Sequence, residues 1–157
     1  MRDILFKAKI VDDGEWVEGI PFKTHIGMFI CFDENPHYCH QYGYMEIDKI
    51  IKVDETTICQ YTGLTDKAKN KAFENSIIKV ISEDEFGVIK YGEYASPFDN
   101  SSTKHIGFYV EWQNKTRTNL WGKDLGYWLN DTTIICGNIF DNVELLEASC
   151  TNSRTGN

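Results

Sequence analysis

Two β-prone runs joined by a polar turn, over residues 57–80, constrain the fold of this chain most strongly. The first run is rich in side chains that favour a pleated, half-buried strand: Thr57, Ile58, Tyr61 and Thr62. Gly63 then permits backbone angles that are closed to other residues. The lysine-rich segment 66–71 is expected to be solvated, and residues 77–81 return to β composition. The stretch therefore predicts strand, turn and strand, with Asn75 accepting a left-handed conformation at a second sharp corner.

The opening residues show the clearest alternation in the chain. Apolar residues occupy every second position from Ile4 to Ile10, and lysines stand at 7 and 9. This period of two predicts a half-buried strand. The Asp-Asp-Gly triplet at 12–14 predicts a hairpin turn, and residues 16–22 and 27–32 are typical of further strands. Residues 42–53 also have spacings that suit a short helix, although the flanking pattern favours a strand.

The second half of the chain contains a series of short β-prone segments separated by turn signals: 76–82, 87–94, 106–113, 120–129 and 133–139. Asp141 follows as a cap for one helical turn through Leu146. Short strands of this kind predict a small SH3-like barrel. The predicted organisation is mainly β, with few short helical turns. It comprises an N-terminal antiparallel β subdomain over 1–62, the barrel over 63–147 and a flexible tail over 148–157.

Composition and charge limit the classes of function. The 157 residues are 41% hydrophobic and 13% aromatic, which is enough for a packed core. Lys and Arg number 16 against 24 Asp and Glu, so the formal net charge is -8. Because binding to a phosphate backbone needs clustered Lys and Arg, this charge argues against a nucleic-acid partner. A barrel associated with nucleic acid is therefore only a lesser alternative.

Signals for membranes or export are missing from the sequence. No apolar run reaches the ~20 residues of a membrane span, and the acidic start at residues 1–3 lacks the pattern of a signal peptide. The cysteines are odd in number and irregularly spaced, which suits free thiols in a reducing compartment. They are Cys31, Cys39, Cys59, Cys136 and Cys150. We therefore expect a cytoplasmic protein without membrane association.

A resemblance to a known family comes from the same central stretch. The segment CQYTGLTDKAKNKAFENSIIKV resembles the signature of the YopX family of phage and prophage proteins. The matching signature residues are Gln60, Tyr61, Thr62, Gly63, Leu64, Asp66 and Lys67. The opening MRDILFKAK and the closing ICGNIFDNVELLE, which contains Gly137 and Asn138, are similar to the ends of the family pattern. The resemblance implies a mobile-element origin in a bacterial host and the same barrel architecture, but no reaction.

Two positions depart from the pattern of that family. Lys69 stands where the family has glycine after the Asp-Lys step, and Asn75 stands in place of another glycine. Left-handed backbone favours glycine, and asparagine is the best substitute for it. The sequence leaves the geometry of the turn at Lys69 open.

One group of residues has the chemistry of a metal site. His37, Cys39 and His40 lie within four residues, with His25 and Cys31 upstream, and His and Cys are zinc ligands. Adjacent Cys39 and His40 on a strand would point to opposite faces, and no paired CxxC element accompanies them. Histidines in a surface loop are the simpler interpretation, so we predict no metal and no cofactor. A metal-assisted hydrolase that uses His37, Cys39 and His40 is the alternative.

Nucleophilic catalysis has weaker support in the sequence. A thiol hydrolase would pair Cys39 or Cys59 with His105, but no oxyanion-type turn accompanies either thiol. The chain contains neither a GxSxG serine nor a phosphate-binding glycine loop. We therefore predict that the protein is not an enzyme.

Aromatic residues in the second half exceed what a small barrel can comfortably bury, since each ring covers roughly 150 Å² or more. The candidates for a partner-binding surface are Tyr91, Tyr94, Phe108, Trp112, Trp121, Tyr127 and Trp128. Tyr and Trp are enriched at protein contacts. These residues, with the loop over 96–104, predict binding of protein, either a second copy or a host factor. A purely structural core is the competing interpretation.

Overall fold

The computed structural model describes residues 4–32, 37–83, 85–95, 103–113, 125–129 and 132–147. The chain forms two compact units, Met1–Tyr61 and Thr62–Asn157, called units 1 and 2 below. Independent folding of the predicted domains, residues 1–62 and 63–147, stays a prediction. The predicted flexible tail over 148–157 lies outside the described residues.

The fold is mainly β, as the sequence predicts. The strands are β1 Phe6–Lys9, β2 Trp16–Thr24, β3 Gly27–Cys31, β4 His37–Cys39, β5 Tyr44–Glu46, β6 Ile50–Val53, β7 Cys59–Thr65, β8 Lys71–Phe73, β9 Ser76–Val80, β10 Phe86–Tyr94, β11 His105–Trp112 and β12 Thr133–Asn138. Helical structure in the described residues is limited to a 3-10 turn at Glu55–Thr57, helix α1 at Leu125–Trp128 and one turn over 144–147. The prediction of few short helical turns is confirmed.

Unit 1 is an antiparallel sheet in which the long second strand has two partners in succession. The first half of β2 pairs with β1, and its second half pairs with β3, which pairs in turn with β6. A bridge between Ile10 and Val53 joins the ends of β1 and β6. The enclosed core contains Ala8, Ile30 and Val53, with Val17, Met28, Ile51 and Ile58 packed against them. Strands β4 and β5 form a separate hairpin.

The predicted hairpin turn between the first two strands is confirmed. Gly14 has a φ of 75°, which is the left-handed region that favours glycine. Its N–H donates to the carbonyl of Ile10 at 3.0 Å, and the carboxylate of Asp13 accepts from the N–H of Glu15 at 2.9 Å. The segment 42–53, for which the sequence allowed a helix or a strand, contains strands β5 and β6. Alternate residues of β6, Ile51 and Val53, lie in the core, as expected for a strand.

Unit 2 is an antiparallel sheet in the order β11-β10-β9-β12. One face of this sheet carries the main core of the chain: Ile78, Val80, Ile89, Val110 and Trp112. Ala72 of β8 and the α1 residues Leu125 and Trp128 cover that face. Strand β7 begins in unit 1 and ends in unit 2, where it pairs with β8.

The described part of the segment 120–129 does not form the strand that the sequence predicts. Its described part, 125–129, contains helix α1, and the N–H of Leu129 donates to the carbonyl of Leu125 at 3.0 Å. Leu125, Trp128 and Leu129 have the i, i+3, i+4 spacing that places side chains on one helical face, and they pack into the core. Because residues 125–128 are helical, the described part of unit 2 has a four-stranded antiparallel sheet and no closed barrel. The SH3-like architecture stays a prediction.

Candidate functional site

The pairing of β10 with β11 divides the predicted aromatic surface between two faces. Residues directly opposite each other in antiparallel strands share a face of the sheet. Tyr91 lies opposite Phe108 on the core face, whereas Tyr94 lies opposite His105 on the other face. The predicted residues of β10 and β11 therefore do not form one continuous surface.

Two of the predicted contact residues belong to the core. Trp112 is only 3% exposed, and its ring lies edge-on to that of buried Trp128 with centroids 4.7 Å apart. Both rings belong to the core cluster that contains Ile89 and Val110. Trp112 and Trp128 are therefore core residues in this structure.

The exposed aromatic residues lie elsewhere in unit 2. Tyr127 is exposed on α1 and packs edge-on to Trp128 with centroids 5.1 Å apart. Trp121 and most of the predicted contact loop, residues 96–102, lie outside the described residues.

An apolar surface remains where the core face of β10 and β11 reaches solvent. Tyr91 is 55% exposed and Ile106 is 75% exposed, while Phe108 is partly buried against the core. The rings of Tyr91 and Phe108 meet edge-on at 5.1 Å. We call these three residues the β10–β11 tip. Sequence analysis missed Ile106, although its parity with Phe108 in β11 is the signal that could have identified it.

The opposite face of the same strands carries a stacked group. Tyr94 stacks against His105 and Tyr109, with centroid separations of 5.3 Å and 5.5 Å. Burial, with the nearby charge of Glu111, raises the pKa of Tyr109. Its hydroxyl is therefore protonated at neutral pH and can act only as a hydrogen-bonding group.

The histidine and cysteine residues of the candidate metal site do not form a ligand set in the described structure. His40 packs edge-on to Tyr38 with centroids 4.9 Å apart, and Cys39 ends strand β4. The side chain of His37 lies outside the described residues. Within the part of the chain that the structure describes, no three His, Cys, Asp or Glu side chains are placed to hold a metal ion.

The described thiols have the environment of structural cysteines. Cys59 is fully buried, and its Sγ donates to the carbonyl of Thr57 at 3.3 Å. Burial raises the pKa of the Cys136 thiol, although Lys79 acts in the opposite direction. Since the thiolate is the reactive form, the raised pKa makes the Cys136 thiol less reactive, and Cys59 is closed off from solvent.

The central sequence motif builds a turn rather than a reactive site. Asp66 was expected to be solvated, but it is only 2% exposed. One carboxylate oxygen accepts from the N–H groups of Ala68 and Asn70, both at 2.9 Å. The other accepts from the side chain of Asn70 and the N–H of Ile135 in β12, both at 3.0 Å. The neighbouring lysines make the whole segment look exposed, so nothing in the sequence indicates that Asp66 is buried.

The electrostatics of Asp66 follow from these contacts. Burial alone would raise its pKa, but hydrogen bonds from Ile135, Asn70 and Ala68 outweigh it, so the pKa is lowered. The carboxylate is therefore ionised at neutral pH and unsuited to act as a general acid. Its carboxylate accepts four hydrogen bonds from other parts of the chain, so its role is structural.

Both departures from the glycine pattern adopt the left-handed backbone that glycine would favour. Lys69 has a φ of 69° and Asn75 a φ of 63°. Asn75 fulfils the prediction made for it, and its N–H donates to the carbonyl of Ile89 at 2.8 Å. Lys69 therefore adopts the backbone conformation of the family's glycine, although this conformation is unfavourable for lysine.

The closing motif shapes the last turn of the chain. The side-chain oxygen of Asn138 accepts from the N–H groups of Phe140 and Asp141, at 2.9 Å and 3.0 Å. The Asn142 carboxamide accepts from the N–H of Asn138 at 3.2 Å and lies directly over Gly137. A side chain at 137 would occupy the position of that carboxamide, so glycine is needed there.

Comparison with known proteins agrees with these motifs. A family model described as YopX protein matches residues 8–147. The chain belongs to the YopX family. No curated protein matches it. In this YopX protein the motif residues Thr62, Asp66 and Asn138 make hydrogen bonds that hold turns and strand ends together.

A second exposed apolar surface lies in unit 1 of the YopX protein and was not predicted. On the face of the sheet that points away from the core, Phe22 and Phe29 stack with centroids 5.7 Å apart. Ile20 and Ile50 are exposed on the same face. The signal was present in the sequence, because residues 28–31 are apolar at both parities and so predict burial of both strand faces.

No helix in the described ranges is both long enough and apolar enough to cross a bilayer.

Proposed function

We propose that this YopX protein is a non-enzymatic accessory protein of a phage or prophage that acts by binding protein, either a second copy of itself or a host factor. The observation that carries the proposal is the β10–β11 tip. Tyr91 and Ile106 expose more than half of their surface, next to a partly buried Phe108.

The geometry of the tip suits protein binding. Its side chains extend from a core that already fixes Phe108, so little conformational entropy is lost when a partner binds. Edge-on contact with Phe108 orients the ring of Tyr91. Tyr also supplies an apolar ring with a polar end, which is why it is enriched at interfaces. Tyr94, on the opposite face of the strands, and exposed Tyr127, on α1, lie outside the tip and are secondary candidates for contact with a partner.

The proposed setting is the cytoplasm of a host bacterium. Among the described residues, Cys31, Cys39, Cys59 and Cys136 form no disulfide bond, which is the state expected in a reducing compartment. The proposal includes the SH3-like architecture for the C-terminal half, supported by the short antiparallel strands of unit 2.

The proposal is tested by changing the tip without changing the core. Tyr91→Ser combined with Ile106→Ser should abolish self-association in light-scattering measurements, or remove specific proteins from a pull-down with host lysate. Ile81→Ser is the matched control, because Ile81 is also an exposed isoleucine of unit 2 but lies outside the tip. A wild-type protein that is strictly monomeric and captures no protein would contradict the proposal.

The other classes of function have separate tests. Stoichiometric zinc in the purified protein would favour the metal-assisted hydrolase that uses His37, Cys39 and His40. Salt-sensitive retention on heparin would favour a nucleic-acid role, which the net charge of -8 opposes.

A further inference from the structure

Strands β10 and β11 continue beyond the rest of their sheet as a two-stranded arm. Among the described strands, β10 pairs with β9 only over Phe86–Val88, whereas its pairing with β11 runs on to Tyr94 opposite His105. We call residues 90–94 and 105–109 the arm. A two-stranded ribbon is marginally stable in water unless further contacts support it. Because the arm carries the β10–β11 tip, the contacts that support the arm also set the shape of the tip.

A glycine pair interrupts the arm. Gly92 lies directly opposite Gly107, so one row on the face opposite the tip carries no side chain. Glycine in the interior of a strand weakens it, because the backbone has more freedom and there is no side chain to pack. Tyr91 and Phe108 lie on the side of this row towards the sheet, whereas Ile106 lies beyond it. A bend at the glycine pair would therefore separate Ile106 from the other two residues of the tip.

Tyrosine rings cover the glycine pair. A Cβ at Gly107 would lie 3.9 Å from Cε1 of Tyr94, which stands on the neighbouring strand. A Cβ at Gly92 would likewise lie 3.8 Å from Cε1 of Tyr109. Each ring therefore lies over the glycine of the other strand, and the two rings meet across the empty row with centroids 5.5 Å apart. His105 stacks against Tyr94 at 5.3 Å, and we call these three rings the clamp.

The clamp is a packed cluster rather than a set of solvated side chains. Tyr94, His105 and Tyr109 are all half-buried. Stacked aromatic pairs contribute stability beyond the area that they bury. The clamp joins the two strands on both sides of the glycine pair, since Tyr94 and His105 lie beyond the pair and Tyr109 lies on the side towards the sheet. It therefore opposes a bend at the glycines.

We propose that the glycine pair is a hinge and that the clamp locks it, so that the three residues of the β10–β11 tip are held in one arrangement. Tyr94 and Tyr109 are in this respect positioning residues, because they act from the face opposite the tip. The hinge and its lock are properties of this chain alone, whereas their effect on binding rests on the proposed function of the tip. That effect is preorganisation, which raises affinity by reducing the entropy lost on association.

Backbone hydrogen exchange of the full-length protein shows where the arm opens. The N–H of Gln113 donates to the carbonyl of Phe86 at 3.1 Å. Hydrogen-bonded pairs alternate along an antiparallel ladder, so the N–H groups of His105 and Gly107 also donate to β10. These two amides lie at or beyond the glycine pair, whereas that of Glu111 lies nearer the sheet at the same parity. Comparing their exchange rates separates opening of the arm from opening of the whole unit.

The expected change is local to the arm. Tyr94→Ser should raise exchange at His105 and Gly107 roughly three- to tenfold, which corresponds to the loss of one aromatic contact, without a change at Glu111. Tyr94→Phe keeps the ring and should exchange like the wild type. Adding Gly107→Ala to Tyr94→Ser should slow exchange at His105 again, because a Cβ stiffens the hinge. Tyr91→Ser is the matched control, since it removes an exposed ring from the other face of the same strand.

Unchanged exchange in Tyr94→Ser, or an equal rise in Tyr91→Ser or at Glu111, would overturn the hinge and its lock. Binding is a separate readout, in which Tyr94→Ser should weaken the association made by the tip and Tyr94→Phe should preserve it. Faster exchange with unchanged association would overturn the preorganisation of the tip. A wild-type protein that binds no partner would contradict the proposed function, while the exchange rates would still decide the hinge. Circular dichroism verifies that each variant is folded.

Discussion

The carboxylate of Asp66 accepts a hydrogen bond from the backbone N–H of Ile135 at 3.0 Å, across 69 positions of sequence. This bond ties the turn between β7 and β8 to strand β12. The same carboxylate closes its own turn through Ala68 and Asn70. One family-motif residue thus sets a local turn and a long-range contact together.

Replacing Asp66 should destabilise the protein strongly. Asp66→Ala removes the acceptor for four donors in a buried site, and we expect the free energy of unfolding to fall by about 3 kcal/mol. Urea denaturation followed by circular dichroism measures this change. Asp54→Ala is the control, because Asp54 also accepts from a backbone N–H, that of Thr56 at 2.9 Å, but is exposed. Equal losses for the two variants would contradict a special role for Asp66.

Asp66 should also make stability depend on pH at the acid end. Hydrogen bonding lowers its folded pKa against the opposing effect of burial, so folding favours the ionised form. This stabilisation is complete above the unfolded pKa, about 3.9, and is lost as the pH falls through the folded value. The stability difference between wild type and Asp66→Asn should therefore shrink below about pH 4. Hydrogen bonds from the hydroxyl and N–H of Thr56 also lower the pKa of Asp54, but that residue is common to both proteins and cancels. A constant difference down to acid denaturation would exclude this linkage.

The residues that sequence reasoning placed correctly are those whose environment is set locally. Alternation from Ile4 to Ile10 predicts β1, and the glycine at 14 predicts its turn, since both depend on neighbours in sequence. Asp66 could not be recognised as buried, because its partner Ile135 lies in a distant strand. Similarly, Trp112 is buried and Tyr91 is exposed because they lie at different points along the β10–β11 pairing. Amino-acid composition does not reveal these positions.

Relieving the backbone at Lys69 should stabilise the protein. Its φ of 69° is unfavourable for a residue with a side chain. We expect Lys69→Gly to raise the free energy of unfolding by roughly 0.5–1 kcal/mol, the net of relieved backbone strain and the greater freedom of glycine in the unfolded chain. Lys67→Gly is the control, because Lys67 lies in the same turn without a positive φ and should gain nothing. A loss of stability in Lys69→Gly would show that the lysine side chain makes a contribution larger than the strain.

Gly137 and Asn142 should be energetically coupled. A Cβ at 137 would overlap the Asn142 carboxamide, so Gly137→Ala must displace the side chain that accepts from the N–H of Asn138. We expect Gly137→Ala to cost about 2 kcal/mol, as overpacking of a filled site does. In an Asn142→Gly background the same substitution should cost much less, because the overlapping atoms are gone. Gly107→Ala is the control, since its nearest neighbour would be a Tyr94 carbon at an ordinary 3.9 Å. Chemical denaturation of the two single variants and the double variant gives the coupling energy, and strict additivity would show that the overlap is relieved elsewhere in the turn.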